Sequence, residues 1–176
     1  MITANDVLTL CTLIQEHGLR FWLSGGWGIV ALLGEQIRPH SDLDILVPLD
    51  DVARLISLFA GRGYAIAEYC DNNLPVRDAR GRAVPTNFVL RDALGCDVHV
   101  HALRMDGEGS AVPAWMGDYI HFSAEDLSAE GRLLGRRLPC ISSAMQRRCR
   151  ACWPQSDRQR MDLRLLEMAT DHGLAH

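Results

Sequence analysis

The chain has 176 residues, 48% of them hydrophobic and 23% charged, with a net charge of −4 and a pI near 5.9. That supplies one sizeable core, or a compact core with a small second lobe. It argues against broad nucleic-acid binding, which needs a basic face, and no apolar run approaches the roughly 20 residues of a membrane span.

The start, Met1-Ile2-Thr3-Ala4-Asn5-Asp6, has no basic n-region and no signal-peptide core, so the expected location is cytoplasmic. Residues 3–17 read as an amphipathic helix with Val7, Leu10, Cys11, Leu13 and Ile14 on one face, capped by Thr3 with Asp6 three residues on. Gly18 stops it. Leu19 to Leu23 is a short apolar strand, Ser24-Gly25-Gly26 a tight turn, and Trp27 to Leu33 a helix ending at Gly34. Asp42 to Pro48 alternates and reads as a strand. Asp50 to Gly61 is a second amphipathic helix, with Val52, Leu55, Ile56 and Phe59 inward, and Tyr64 to Tyr69 a further strand. Thr86 to Arg91 and Cys96 to Leu103 form a hairpin through Asp92-Ala93-Leu94-Gly95. Arg104 to Trp115 reads as a loop, and the remainder as mostly helical, with Ser143 to Cys152 and Asp157 to Thr170 separated at Pro154.

The order predicts an α+β fold: a domain over residues 1–104, then a loop and helical region over 105–176. The six cysteines are scattered and read as reduced core residues. Cys149 and Cys152 read as helical neighbours, because no further ligands follow at zinc-site spacing.

Positions two apart on a strand face the same way, so Asp42 and Asp44 stand side by side while Leu43 and Ile45 point into the core. Two adjacent anions repel, and a hard divalent cation such as Mg2+ relieves that cost. An isolated D-x-D is common and alone reads as a loop cap and a solvated edge residue. The glycine turn at Ser24-Gly25-Gly26 changes the weighing, since a helix N-terminus behind glycines offers N–H groups to phosphate. Asp97, His99 and His101 alternate with apolar residues, so they too share one face. If their strand neighbours that of Asp42, Asp97 completes a three-carboxylate cluster able to hold two metal ions, or one metal beside a base. His101 stays closer to a solvent-facing residue on an edge strand.

The stretch Trp22-Leu23-Ser24-Gly25-Gly26-Trp27-Gly28, then Leu33-Gly34, then Arg38-Pro39-His40-Ser41-Asp42-Leu43-Asp44, resembles the signature of the small antibiotic nucleotidyltransferases. These are the lincosamide nucleotidyltransferases and aminoglycoside-2''-adenylyltransferases of the DNA-polymerase-β-like superfamily. Gly95-Cys96-Asp97-Val98-His99 is similar to the family's third-carboxylate strand. Gly131, Gly135, Cys140-Ile141-Ser142, Asp157 and Asp162 resemble its C-terminal segment. Where that segment carries a Glu, a His and a Gly-Tyr pair, this chain has Ala144, Arg150, Cys152 and Trp153.

The resemblance implies a polymerase-β-like nucleotidyltransferase domain, with a mixed sheet flanked by helices. It implies transfer of a nucleoside monophosphate, usually AMP from ATP, to a hydroxyl of a small molecule of lincosamide or aminoglycoside type. Ser24, Gly25 and Gly26 would bind the β- and γ-phosphates, with Arg38 and His40 adding positive charge. Asp42, Asp44 and Asp97 would serve two Mg2+ ions, Asp97 alternatively taking the hydroxyl proton. His99 and Trp153 would meet the acceptor, and the helices carrying Arg147, Arg148 and Arg150 would wall the cleft, although a basic run otherwise reads as a solvated face. The expected assembly is a monomer or homodimer without nucleic acid. The rival readings are transfer to a protein or RNA, and a nucleotide-binding relative without catalysis.

Overall fold

The computed structural model describes residues 1–116, 119–151 and 156–171, and in the last stretch not the side chains of 158, 170 and 171. Helix α1 (Ala4–Glu16) begins with a capping box: Asp6 N–H donates to Thr3 Oγ1 and Thr3 N–H donates to the Asp6 carboxylate. The five residues expected on its inner face are buried. Gly18 (φ 64°) turns the chain away from it.

Strand β1 (Trp22–Ser24) is shorter than expected and runs directly into α2 (Gly25–Leu33). No separate turn intervenes, so both glycines belong to the first turn of the helix. β2 (Asp42–Pro48) keeps the bounds read from its alternation. A 3-10 turn (Leu49–Asp51) then leads into α3 (Val52–Ala60), whose Val52, Leu55 and Phe59 are fully buried. β3 (Ala65–Tyr69) forms the far edge of the main sheet.

Two short strands not foreseen in the sequence, β4 (Val76–Arg77) and β5 (Ala83–Val84), pair with each other. The predicted hairpin is β6 (Asn87–Arg91) and β7 (Asp97–Met105), antiparallel. Its connection is held by the Asp92 carboxylate, which accepts from Leu94 N–H and Cys96 N–H, with Gly95 at φ 76°.

Residues 104–115 are not a loop. β7 continues to Met105, and β8 (Ala111–Pro113) returns antiparallel against it. The Asp106 carboxylate folds the connection by accepting from Glu108 N–H and Ser110 N–H, turn chemistry that glycine content alone conceals. The following region also carries a hairpin, β9 (Glu130–Leu133) and β10 (Arg136–Pro139), before α4 (Ser143–Ala151) and α5 (Asp157–Asp171).

The main sheet runs β1-β2-β7-β6-β3, with β8 on the outer end of β7. β2 and β7 are parallel and every other pair is antiparallel. Leu43, Ile45, Val98 and Val100 enter the main core with residues of α1, α2 and α3. Trp22, Leu46 and Leu103 join Phe122, Ile141 and Met145 in a second cluster. Cys11 and Cys140 lie fully buried in the main core, where burial pushes both thiols well above their ordinary pKa and keeps them unreactive. Among the described residues no helix is long and apolar enough to cross a membrane.

Candidate active site

The parallel register of β2 and β7 places Asp42 opposite Asp97, Asp44 opposite His99 and Leu46 opposite His101. All five polar side chains therefore rise from one face of two adjacent strands. His99 Nε2 lies 3.7 Å from Asp42 Oδ2, and His101 Nε2 lies 3.5 Å from Asp44 Oδ1. His101 is no solvated edge residue. Its Nδ1 is 2.9 Å from Asn87 Oδ1, and Asn87 Nδ2 donates to Asn72 Oδ1. With the amide so engaged, Asn87 Oδ1 accepts and His101 Nδ1 donates, which turns Nε2 toward Asp44. Burial pushes the Asp44 carboxyl upward. The hydrogen bond and charge of His101, then His99 and Arg150, outweigh it and hold its pKa below the ordinary carboxylate value.

Ser24 pairs with Asp44 across the β1–β2 register, so α2 starts against that carboxylate. A Cβ built on Gly25 would sit 1.9 Å from Asp44 Oδ2, and one on Gly26 2.2 Å from His40 Nδ1. Gly25 also has φ 59°. These glycines bring the helix backbone against the site's own acid and imidazole, a closer reason for them than room for phosphate alone. Ser24 gives α2 no side-chain cap. The N-terminal N–H groups and the positive end of the helix dipole thus face the acids.

Arg38 and His40 do not supply the expected free charge. Arg38 forks onto Asp162 of α5, with Nε 2.9 Å from Oδ1 and Nη2 2.5 Å from Oδ2, while Nη1 donates to the Pro39 carbonyl. The Asp162 side chain is 1% exposed. This pair, far apart in sequence, braces the lead-in to β2. His40 is buried, packs against Trp27 at a ring separation of 5.2 Å, and has its pKa lowered by burial first and by Arg38 second. It is a neutral imidazole at neutral pH, a hydrogen-bonding group and not a cation.

Asp97 is adjacent to Asp42 as expected, but its carboxylate is held by Arg91 of β6 at 2.5 and 2.8 Å. That guanidinium lowers the pKa of the Asp97 carboxyl from its ordinary value. Among the described residues, no three His, Cys, Asp or Glu side chains stand together as a ready metal cage. In this structure Asp42 and Asp44 are the open carboxylate pair, and the third acid, Asp97, is engaged by its cross-strand arginine. The donor set of Asp42 and Asp44 still fits a hard divalent ion: adjacent carboxylate oxygens open to a cleft, the kind of partial shell Mg2+ shares with substrate phosphates.

The cleft encloses about 490 Å3. Ser24, Gly25, Gly26, His40, Gln146 and Arg150 line it on the α2 side. Gln146 is 1% exposed, yet its Nε2, like His40 Nε2, has no hydrogen-bond partner among the described residues. Both are buried polar atoms that a bound ligand can satisfy. Sequence reading missed Gln146, Asn72 and Asn87. None sits in a motif, and the sheet register and the packing of α4 on α2 alone bring them in. Arg150 belongs to the helix whose basic run read as a solvated face, but it reaches the cleft. Trp153 lies outside the described residues.

A profile of the aminoglycoside-2''-adenylyltransferases matches residues 6–166. The chain belongs to this family. By that membership it is a nucleotidyltransferase, as the glycine turn and the R-x-H-x-D-x-D stretch imply. It is 23% identical to a lincosamide resistance protein of Staphylococcus haemolyticus, over 96% of this chain and 97% of that protein. Among solved structures, the lincomycin-bound lincosamide adenylyltransferase LnuA is similar at TM-score 0.77 and 23% identity, over 94% of this chain and 97% of LnuA. The aminoglycoside enzyme ANT(2'')-Ia with adenylyl-2''-tobramycin is similar at TM-score 0.67 and 19% identity, over 97% and 89%. At these identities the structural likenesses establish the nucleotidyltransferase fold.

Proposed function

We propose that the chain transfers AMP from ATP, with Mg2+, to a hydroxyl of a small-molecule antibiotic of lincosamide or aminoglycoside type. One observation carries this reading: the Asp42–Asp44 pair opens into a cleft at the very N-terminus of α2, so acceptors for a cation and donors for a phosphate meet at one point. The N–H groups of Gly25 and Gly26, with Ser24, bind the β- and γ-phosphates. His40 and Gln146 donate to them from buried positions, and Arg150 supplies the charge that Arg38 spends on Asp162. Asp42 and Asp44 would hold Mg2+, and Asp97, once released from Arg91, would join a second ion or take the acceptor proton. A divalent ion held there would supply the charge that neutralises the triphosphate and polarises the α-phosphate.

The acceptor oxygen attacks the α-phosphorus, a P–O bond forms, the bond to the β-phosphate breaks, and pyrophosphate departs. The hydroxyl proton passes to a carboxylate on β7, and His99, beside Asp42, orients the acceptor.

The test is incubation with Mg2+, each nucleoside triphosphate and a panel of lincosamides and aminoglycosides, read by mass spectrometry for acceptor plus nucleoside monophosphate. Asp42→Asn abolishes the product while the circular dichroism spectrum and melting temperature stay close to wild type, because Asp42 makes no core contact. Full activity in that variant overturns the metal assignment.

A further inference from the structure

The two carboxylate oxygens of Asp44 have different neighbours. Oδ2 lies where a Cβ on Gly25 would come within 1.9 Å, at the start of α2. Oδ1 lies 3.5 Å from His101 Nε2. The terminal torsion of an aspartate is broad, so nothing within the side chain itself chooses an orientation of the carboxylate. The choice falls to its neighbours. The α2 neighbour is backbone, while His101 is a side chain with freedom of its own. That ring is held in turn: its face packs on Trp115 with centroids 5.4 Å apart, and its Nδ1 is 2.9 Å from Asn87 Oδ1.

Asn87 is 5% exposed and is the first residue of β6, opposite His101 in the register. The sheet fixes where it stands but not which amide atom faces the ring. That is decided by residues 70–74, the segment after β3. Cys70 N–H donates to the Asn87 carbonyl, and Asn73 Oδ1 accepts from Thr86 N–H and Asn87 N–H. The buried Thr86 hydroxyl donates to the Leu74 carbonyl and accepts from Leu74 N–H. Stitched down at both ends, the segment brings Asn72 Oδ1 to Asn87 Nδ2, and the Asn87 oxygen then faces the imidazole. A loop outside every motif thus reaches Asp44 through two further side chains. Resting on the nucleotidyl-transfer reading of this cleft, we infer that Asn87, set by Asn72, is a positioning residue for Asp44. It locks the His101 ring, and the ring keeps the carboxylate in one orientation against the N-terminus of α2.

Two measurements on the intact chain test this. The first needs no nucleotide: hydrogen exchange of the imidazole N–H groups by nitrogen-resolved proton NMR, with the His101 signal assigned by its loss in His101→Gln. Wild type shows a slowly exchanging His101 Nδ1–H. Its exchange quickens by about tenfold or more in Asn87→Ala. It quickens by a smaller factor in Asn72→Ala, which leaves the ties through Asn73 intact. A wild-type His101 with no proton on Nδ1, or unchanged exchange in Asn87→Ala, overturns the inference. The second is a double-mutant cycle on nucleotidyl transfer. Asn87→Ala lowers kcat by about tenfold or more, the usual cost of removing a partner behind a metal-site side chain, while the KM for ATP stays within about threefold. In a His101→Gln background the same substitution changes kcat by less than about twofold, because the ring it acts through is gone. Losses that multiply, or a raised KM with unchanged kcat, mean that Asn87 meets the substrate directly and overturn the inference. A wild-type chain that transfers to no acceptor overturns the proposed function instead, and the exchange measurement alone then decides the inference.

Discussion

Gly25→Ala separates two costs that coincide at one residue. The first is backbone strain: φ is 59°, where a side chain costs about 1 kcal/mol. The second is collision, because the added Cβ would lie 1.9 Å from Asp44 Oδ2. Ordinary contact begins near 3.4 Å, so the carboxylate must retreat by more than an ångström. Gly34 supplies the control. It caps α2 at φ 73° with nothing within 4 Å of its Cβ position. Gly34→Ala therefore carries the strain alone: the melting temperature falls by about 2–4 °C and nucleotidyl transfer is unchanged. Gly25→Ala shows a similar or larger fall, and transfer drops by about two orders of magnitude, the usual effect of misplacing a reacting group by an ångström. The assays are differential scanning calorimetry and product formation, with Mn2+ titration reporting the metal site directly. A Gly25→Ala variant with wild-type transfer and Mn2+ affinity refutes the claim that the glycine exists to admit Asp44.

Asp162→Asn leaves Arg38 part-buried without its anion, and calorimetry is expected to show a loss of about 2 kcal/mol, below the roughly 3–5 kcal/mol of a fully buried pair because Arg38 remains a quarter exposed. Arg91→Ala frees the Asp97 carboxylate, so Mn2+ binds more tightly; unchanged affinity removes Asp97 from the metal set. The Asp126 carboxyl is raised by burial but lowered further by hydrogen bonds from Ser142 and Ser123, and ends below 3.8. Its folded pKa is depressed, so its stabilisation is present above the unfolded value and disappears as pH falls through the lower folded one. Below about pH 4, Asp126→Asn therefore shows a flatter fall in unfolding free energy than wild type, at a lower stability near pH 7; parallel curves contradict the assignment.

How much was legible differs by element. The start of β2 could be read because Leu43 and Ile45 are buried while Asp42 and Asp44 stay partly open, the alternation a half-buried strand writes into sequence; from Ile45 to Pro48 the strand is buried on both faces and reads as a continuous apolar run. The β9–β10 hairpin could not. Its two-residue turn, Leu134-Gly135, has φ 49° and 79°. That geometry normally announces itself with Asn-Gly or Asp-Gly, and a leucine hides it. Gly131, read as a family position, proves to be a packing residue: a Cβ there would come 2.5 Å from the Ala31 backbone, so glycine lets β9 lie on α2. In the site, the acids followed from spacing, since a strand fixes which side chains share a face. Their partners did not. His101 and Asn87 meet through the antiparallel register of β6 and β7, and Arg91 reaches Asp97 through the same pairing, contacts that depend on which strands neighbour and not on any local pattern.

The Arg38–Asp162 fork also sets an order of events. Synthesis delivers the chain from its N-terminus, and domains generally fold as they emerge. Here the residue that braces the approach to Asp42 stands 124 positions after its partner. While earlier segments are already able to collapse, Arg38 has no counter-ion, and the acids at the start of β2 lack their support. The brace of the cleft and the closure of the main core therefore wait on the same late helix, since Leu166 of α5 is fully buried in that core one turn beyond Asp162.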